Sequence, residues 1–146
     1  MKPTCLTCGK KLASPSSDCD CGKPKWDAMS DQEKIEWLCV RIMGWEIKES
    51  PQCAVRIVFA NGENIGSIKR GLFEPTFKWN PLADWNHAAE IVRKMRERWG
   101  YKYILKSVSN GYTQMEFIGH LGTLDGWARE RNENIAVCKA AFLALR

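Results

Sequence analysis

The chain has 146 residues, 45% of them hydrophobic, seven tryptophans and a formal net charge of +5. That size and apolar content fit one domain of ordinary size, or a domain with a small appendage, and exclude a disordered or low-complexity chain. No run reaches the roughly 18 apolar residues of a membrane span. Met1-Lys2-Pro3-Thr4-Cys5 leads into cysteines and not into an apolar segment, so the expectation is a cytoplasmic protein without a secretory signal, in a compartment where disulfides are rare.

Four of the seven cysteines fall between residues 5 and 21, as Cys5-x-x-Cys8, ten residues, then Cys19-x-Cys21. Zinc takes four soft ligands in a tetrahedron, and a tight turn presents two thiolates to one side of the ion. Cys5-Leu-Thr-Cys8-Gly9-Lys10 has the form of such a turn, with Gly9 free of a Cβ clash. The single-residue spacing of Cys19 and Cys21 departs from the usual two. A segment of this size buries too little apolar surface to fold alone, whereas a structural zinc site supplies about 10–16 kcal/mol. Two disulfides would suit a secreted chain. A redox Cys-x-x-Cys should follow a strand and open a helix, and an iron–sulfur centre needs a longer loop. One structural Zn2+ held by Cys5, Cys8, Cys19 and Cys21 is the expectation. The three remaining cysteines, Cys39, Cys53 and Cys138, sit among apolar neighbours and read as small core residues.

Residues 22–27 read as a linker. Ser30-Asp-Gln-Glu33 has the form of a capping box, and Ile35, Leu38, Cys39 and Ile42 follow at i, i+3, i+4 and i+7, one buried helical face that Gly44 ends. Residues 53–59 alternate as a strand, Asn61-Gly62 signals a hairpin, and a second strand is expected over 64–70. Residues 71–82 form an aromatic-proline loop. A helix is expected over 83–99, with Trp85, Ala88, Ala89, Val92, Met95 and Trp99 on its inner stripe, stopped by Gly100. Strands over 101–108 and 112–118 flank Asn110-Gly111. Residues 119–132 read as an irregular loop, and a last helix over 134–145 is apolar nearly all round. Such a helix packs on two sides, and its second neighbour is either another helix of the chain or a partner subunit. The predicted order is α-β-β-α-β-β-α, an α+β fold with antiparallel hairpins, divided into a knuckle and linker (1–27) and a second domain (28–146).

The residues over 31–146 resemble the phage ABA sandwich domain family. The resemblance rests on Met43-Gly44-Trp45 closing the first helix, on Pro81-Leu-Ala-Asp84 running into 88–95, and on Ala136 to Ala144 at the end. It implies a small product of a phage or prophage and an α/β/α-type sandwich, with helices on both faces of a sheet. It brings no established catalytic residues and does not extend to the cysteine knuckle.

Candidate binding residues are Trp45, Trp79, Asn80 and Asp84, near one another at helix ends and in the aromatic loop. Core packing for the tryptophans and helix capping for Asn80 or Asp84 are the competing readings. Trp127 falls in a predicted loop, where an aromatic could stack on a base. Arg93 to Arg98, with Lys102 and Lys106, is the densest basic stretch, read as a solvated helix face or as a nucleic-acid stripe. The two histidines, His87 and His120, form no nucleophile–base pair legible in sequence, and no phosphate-loop, dinucleotide or metalloprotease motif is present. The leading expectation is a non-enzymatic phage accessory protein. It would bind a host protein or a small nucleotide-like ligand, in a counter-defence role, as a homo-oligomer. The alternatives are a zinc-knuckle nucleic-acid-binding protein and an enzyme whose site has no recognisable motif.

Overall fold

The computed structural model describes residues 3, 4, 9, 11, 24–50, 55–68 and 75–146. The four proposed zinc ligands, Cys5, Cys8, Cys19 and Cys21, and also Cys53, lie outside the described residues.

Helix α1 (Asp31–Leu38) starts under the expected capping box: Ser30 Oγ accepts from the Glu33 amide at 3.2 Å, and Glu33 Oε1 accepts from the Ser30 amide at 3.3 Å. It runs on into a π-helical turn, Cys39–Met43, and stops where Gly44 takes the left-handed conformation, φ 73°. Three antiparallel strands follow in the order β1 (Glu46–Ser50), β2 (Val55–Ala60), β3 (Glu63–Ile68). The β2–β3 connection has positive φ at both Asn61 (53°) and Gly62 (83°), the backbone that an Asn-Gly hairpin turn supplies. Helix α2 (Trp85–Trp99) is capped by Asp84, whose Oδ1 accepts from the Asn86 amide at 2.8 Å, and ends at left-handed Gly100. A second antiparallel sheet orders β4 (Lys102–Ser107), β5 (Thr113–Ile118) and β6 (Leu124–Glu130). Helix α3 (Glu133–Leu145) closes the chain, its first amides capped by Asn132 Oδ1.

The α+β class stands, but the order is α-β-β-β-α-β-β-β-α, two strands richer than predicted. Strand β1, Glu-Ile-Lys-Glu-Ser, has one apolar residue because it is a sheet edge. Strand β6 lies where an irregular loop was expected. Its inward positions are Gly126 and Ala128, too small to show as hydrophobic alternation. They must be small: a Cβ on Gly126 would lie 2.2 Å from the Ala140 carbonyl oxygen and 2.6 Å from the Ala144 nitrogen. Helix α3 therefore rides directly on the backbone of β6.

Met115, Phe117 and Ala128 of the second sheet meet Ala136, Val137, Ala140 and Ala141 of α3, with Ala88, Ile91 and Met95 of α2 in the same core. Phe142 reaches the other way, with ring centroids 4.6 Å from Trp37 and 5.3 Å from Trp26. The second side of the apolar last helix is thus covered from within the chain. Trp26, from the expected linker, is buried in this core beneath the Lys34 ammonium, 4.7 Å from its ring. Trp85, expected on the inner stripe, is instead 40% exposed. It is the first residue of α2, and helical side chains lean toward the N-terminus, off the end of the packed face. Helices over both faces of one sheet are not what the second sheet has. Its outer face leaves Ile104, Leu124 and Trp127 about half exposed.

Candidate binding groove between the first helix and the first sheet

A groove of about 780 Å3 opens between α1 and β1. Its helical wall carries Glu33, Glu36, Trp37, Val40 and Arg41, and its sheet wall carries Glu46, Ile47 and Lys48 of β1 with Arg56 of β2. The π-helical turn builds the corner between them. The Gly44 and Trp45 amides both return to the Cys39 carbonyl, so the chain reverses within two residues and β1 runs back alongside the helix it has just left. Trp45 is placed at the base of the groove by this reversal. Cys39, Ile42 and Met43 of the same turn point into the core, leaving Val40, 45% exposed, facing solvent. Nothing in the sequence marks a π turn, although such turns recur at functional sites.

Three carboxylates and three cations share the lining. Glu36 pairs with Arg56 across the floor, joining α1 to the first sheet. Glu46 pairs with Lys48 at 3.3 Å, and Lys48 also lies 5.2 Å from the Phe59 ring centroid. Glu33 is occupied by the capping box. Arg41 stands 5.8 Å from the Trp37 ring centroid, and its Nη2 donates to the Leu145 carbonyl at 3.5 Å, the long limit of such a bond. Its guanidinium is therefore the cation least committed to a carboxylate. The groove thus combines two indole rings, aliphatic surface at Val40 and Ile47, and cationic donors at its rim.

The four residues singled out in sequence do not line one pocket. Trp45 lines the groove, but its ring packs edge-on against Trp79, centroids 5.0 Å apart, and against Phe77 at 6.2 Å. Trp79 is buried behind it, next to His87 at 6.1 Å. Its Nε1 has no hydrogen-bond partner among the described residues. The Asn80 amide donates to His87 Nδ1 at 2.9 Å, and Asn80 Oδ1 accepts from the Leu82 amide at 3.1 Å. Asp84 caps α2, its Oδ2 lying 3.8 Å from His87 Nδ1. These contacts make Trp79, Asn80, His87 and Asp84 an anchor that fixes the aromatic loop to the start of α2 and supports Trp45 from behind. His120 lies in the β5–β6 turn over Gly100, where a Cβ would meet its ring at 2.5 Å. Sequence reasoning missed Trp37, Arg41 and Lys48. The available signal was Trp37 itself, an aromatic one position off the predicted buried face.

Burial pushes the Cys39 thiol up to about 12 and the Cys138 thiol higher still, so both remain protonated thiols across the physiological range. Of the cysteine segment, the structure describes the ends of the first turn. Thr4 pairs with Lys11 across an antiparallel bridge, and Gly9 sits at φ 74° with open space about it. Among the described residues no group of three or more His, Cys, Asp or Glu side chains could hold a metal.

A family model for the phage ABA sandwich domain matches residues 36–142. No curated protein and no solved structure matches the chain. The matched segment begins within α1 and ends within α3, taking in both sheets, the groove corner and Trp45, and leaving the cysteine segment outside. The chain belongs to the phage ABA sandwich domain family.

Proposed function

We propose that this protein is a phage accessory protein that acts by binding, without catalysis, and that its ligand is a small nucleotide-like anion held in the groove between α1 and β1. The observation that carries the reading is that Trp37, Trp45 and Arg41 line one groove of about 780 Å3, with the Arg41 guanidinium 5.8 Å from the Trp37 ring centroid, an ample size for a small-molecule site. A base stacks on an indole, and a phosphate accepts the planar donors of a guanidinium. Sequestering such a molecule in the host cytoplasm would serve counter-defence.

The N-terminal segment, in this reading, is a knuckle around one structural zinc ion bound by Cys5, Cys8, Cys19 and Cys21. The Thr4–Lys11 bridge and left-handed Gly9 support it, because the bridge brings together the residues that flank the Cys-x-x-Cys-Gly stretch. Zinc would supply a fold for this segment and no open coordination position.

The test is a tryptophan-fluorescence titration with nucleoside monophosphates, dinucleotides and cyclic dinucleotides, on the wild type and on Arg41→Ala and Trp45→Ala. Quenching by one of these classes, weakened at least tenfold in Arg41→Ala, is the expected result. A wild-type protein that responds to none of them sinks the nucleotide reading.

A further inference from the structure

The outer face of the second sheet presents three rows of side chains, set by the strand register. Lys106, Gln114 and Arg129 stand side by side across β4, β5 and β6; then Ile104, Glu116 and Trp127; then Lys102, Ile118 and Leu124. Among the described residues no helix covers these rows. Trp127 is 50% exposed, in the middle of a strand. A half-exposed tryptophan beside half-exposed Ile104 and Leu124 makes an apolar patch that is costly to leave in water.

The charges decide what could cover it. Lys102, Lys106 and Arg129 are exposed. The one carboxylate, Glu116, is mostly buried by its neighbours and pairs with Lys106 at 3.7 Å. Arg129 directs Nε and Nη2 at the neutral Gln114 Oε1, at 3.2 and 2.9 Å, so its charge is held in place and left uncompensated. The face is net cationic by two charges. A second copy laid on the same face would bring six cations against two carboxylates, which disfavours self-association. An anion with flat apolar groups fits instead. A single-stranded nucleic acid has that chemistry: bases that stack on an exposed ring, and a phosphate at each step to meet the flanking cations.

We infer that the outer face of the β4–β5–β6 sheet is a binding platform for single-stranded nucleic acid, with Trp127 as the stacking residue and Lys102, Lys106 and Arg129 as the phosphate contacts. The rows lie about 7 Å apart along the strands, two residues of extended backbone, so the cations bracket the tryptophan row on both sides. This surface is separate from the α1–β1 groove, and either can fail without the other.

The experiment titrates full-length protein with an oligothymidylate and an oligouridylate, following tryptophan fluorescence and anisotropy of the labelled strand. Binding is expected to quench emission and to weaken about fifteenfold between about 50 and 200 mM salt, the slope of roughly −2 that three phosphate contacts give on a single strand. Trp127→Ala should weaken binding about tenfold, Trp127→Phe should restore most of it, and Lys102→Gln with Lys106→Gln should flatten the salt slope. Circular dichroism checks that each variant is folded. No binding at low salt overturns the inference. So does binding that is unchanged in folded Trp127→Ala, or a concentration-dependent dimer that Trp127→Ala abolishes.

Discussion

Gly126→Ala adds one methyl group at the tightest contact in the fold, so its effect follows from geometry. The new Cβ would stand 2.2 Å from the Ala140 carbonyl oxygen, 2.6 Å from the Ala144 nitrogen and 2.8 Å from the Ala144 Cβ. The first two are backbone atoms of α3 and cannot rotate away. To restore ordinary separations of about 3.5 Å the helix must retreat by roughly 1 Å, a gap that already forfeits a quarter to a half of each dispersion contact. The loss is spread over the packing of Ala136, Ala140, Ala141 and Phe142 on the sheet and on Trp26 and Trp37. Overpacking costs about 1–3 kcal/mol, and the immovable backbone puts this site at the top of that range. Replacing glycine stiffens the unfolded chain and returns about 0.4–1 kcal/mol. The net expectation is a destabilisation of about 2 kcal/mol. Urea unfolding should show this as a midpoint lowered by about 1 M with an unchanged slope. Ala144→Gly in the same chain should recover only part of it, since the Ala140 oxygen remains. A shift below about 0.5 kcal/mol, the size of an ordinary surface substitution, would refute direct seating of α3 on β6.

Three further outcomes are expected. Cys5→Ser with Cys8→Ser should abolish bound zinc in metal analysis of protein purified without chelator, while the cooperative thermal transition of the body survives; loss of both together would mean that the body needs the knuckle. Cys39 and Cys138 should resist a thiol reagent in native protein and react once it is unfolded, because their thiols are buried and raised. The same shifts fix a pH dependence. Below the ordinary thiol value of 9.0 the folded and unfolded forms hold the same protons. Above it the unfolded chain ionises first, so stability falls as pH rises from 9 toward about 12. The Tyr101 phenol, raised by burial and then by its hydrogen bond to Asp125, acts in the same direction. Urea midpoints that stay level between pH 8 and roughly 11 would contradict this.

The sequence by itself determined the elements whose signals are local. The capping box at Ser30, the left-handed stops at Gly44 and Gly100, the Asn61-Gly62 hairpin, the α2 stripe through Met95 and the apolar α3 all depend on a few neighbouring residues. The family could be read from the same stretches, because helix ends and packing residues carry it. Tertiary structure decided the rest. Strand β1 is charged and β6 is built on Gly126 and Ala128, so neither shows hydrophobic alternation, and each exists because a neighbouring strand supplies its hydrogen bonds. The groove depends on a π turn and on strand β1, neither of which has a local signature, so Trp45 was legible while Trp37, Arg41 and Lys48 were not. Lys102 and Lys106 read in sequence as an extension of the basic face of α2. The strand register sets them instead on a sheet face with Trp127 and Arg129, more than 20 residues away in the chain. Local backbone preferences can be read along a sequence, but which distant side chains share a surface is fixed only when the strands pair and the helices pack.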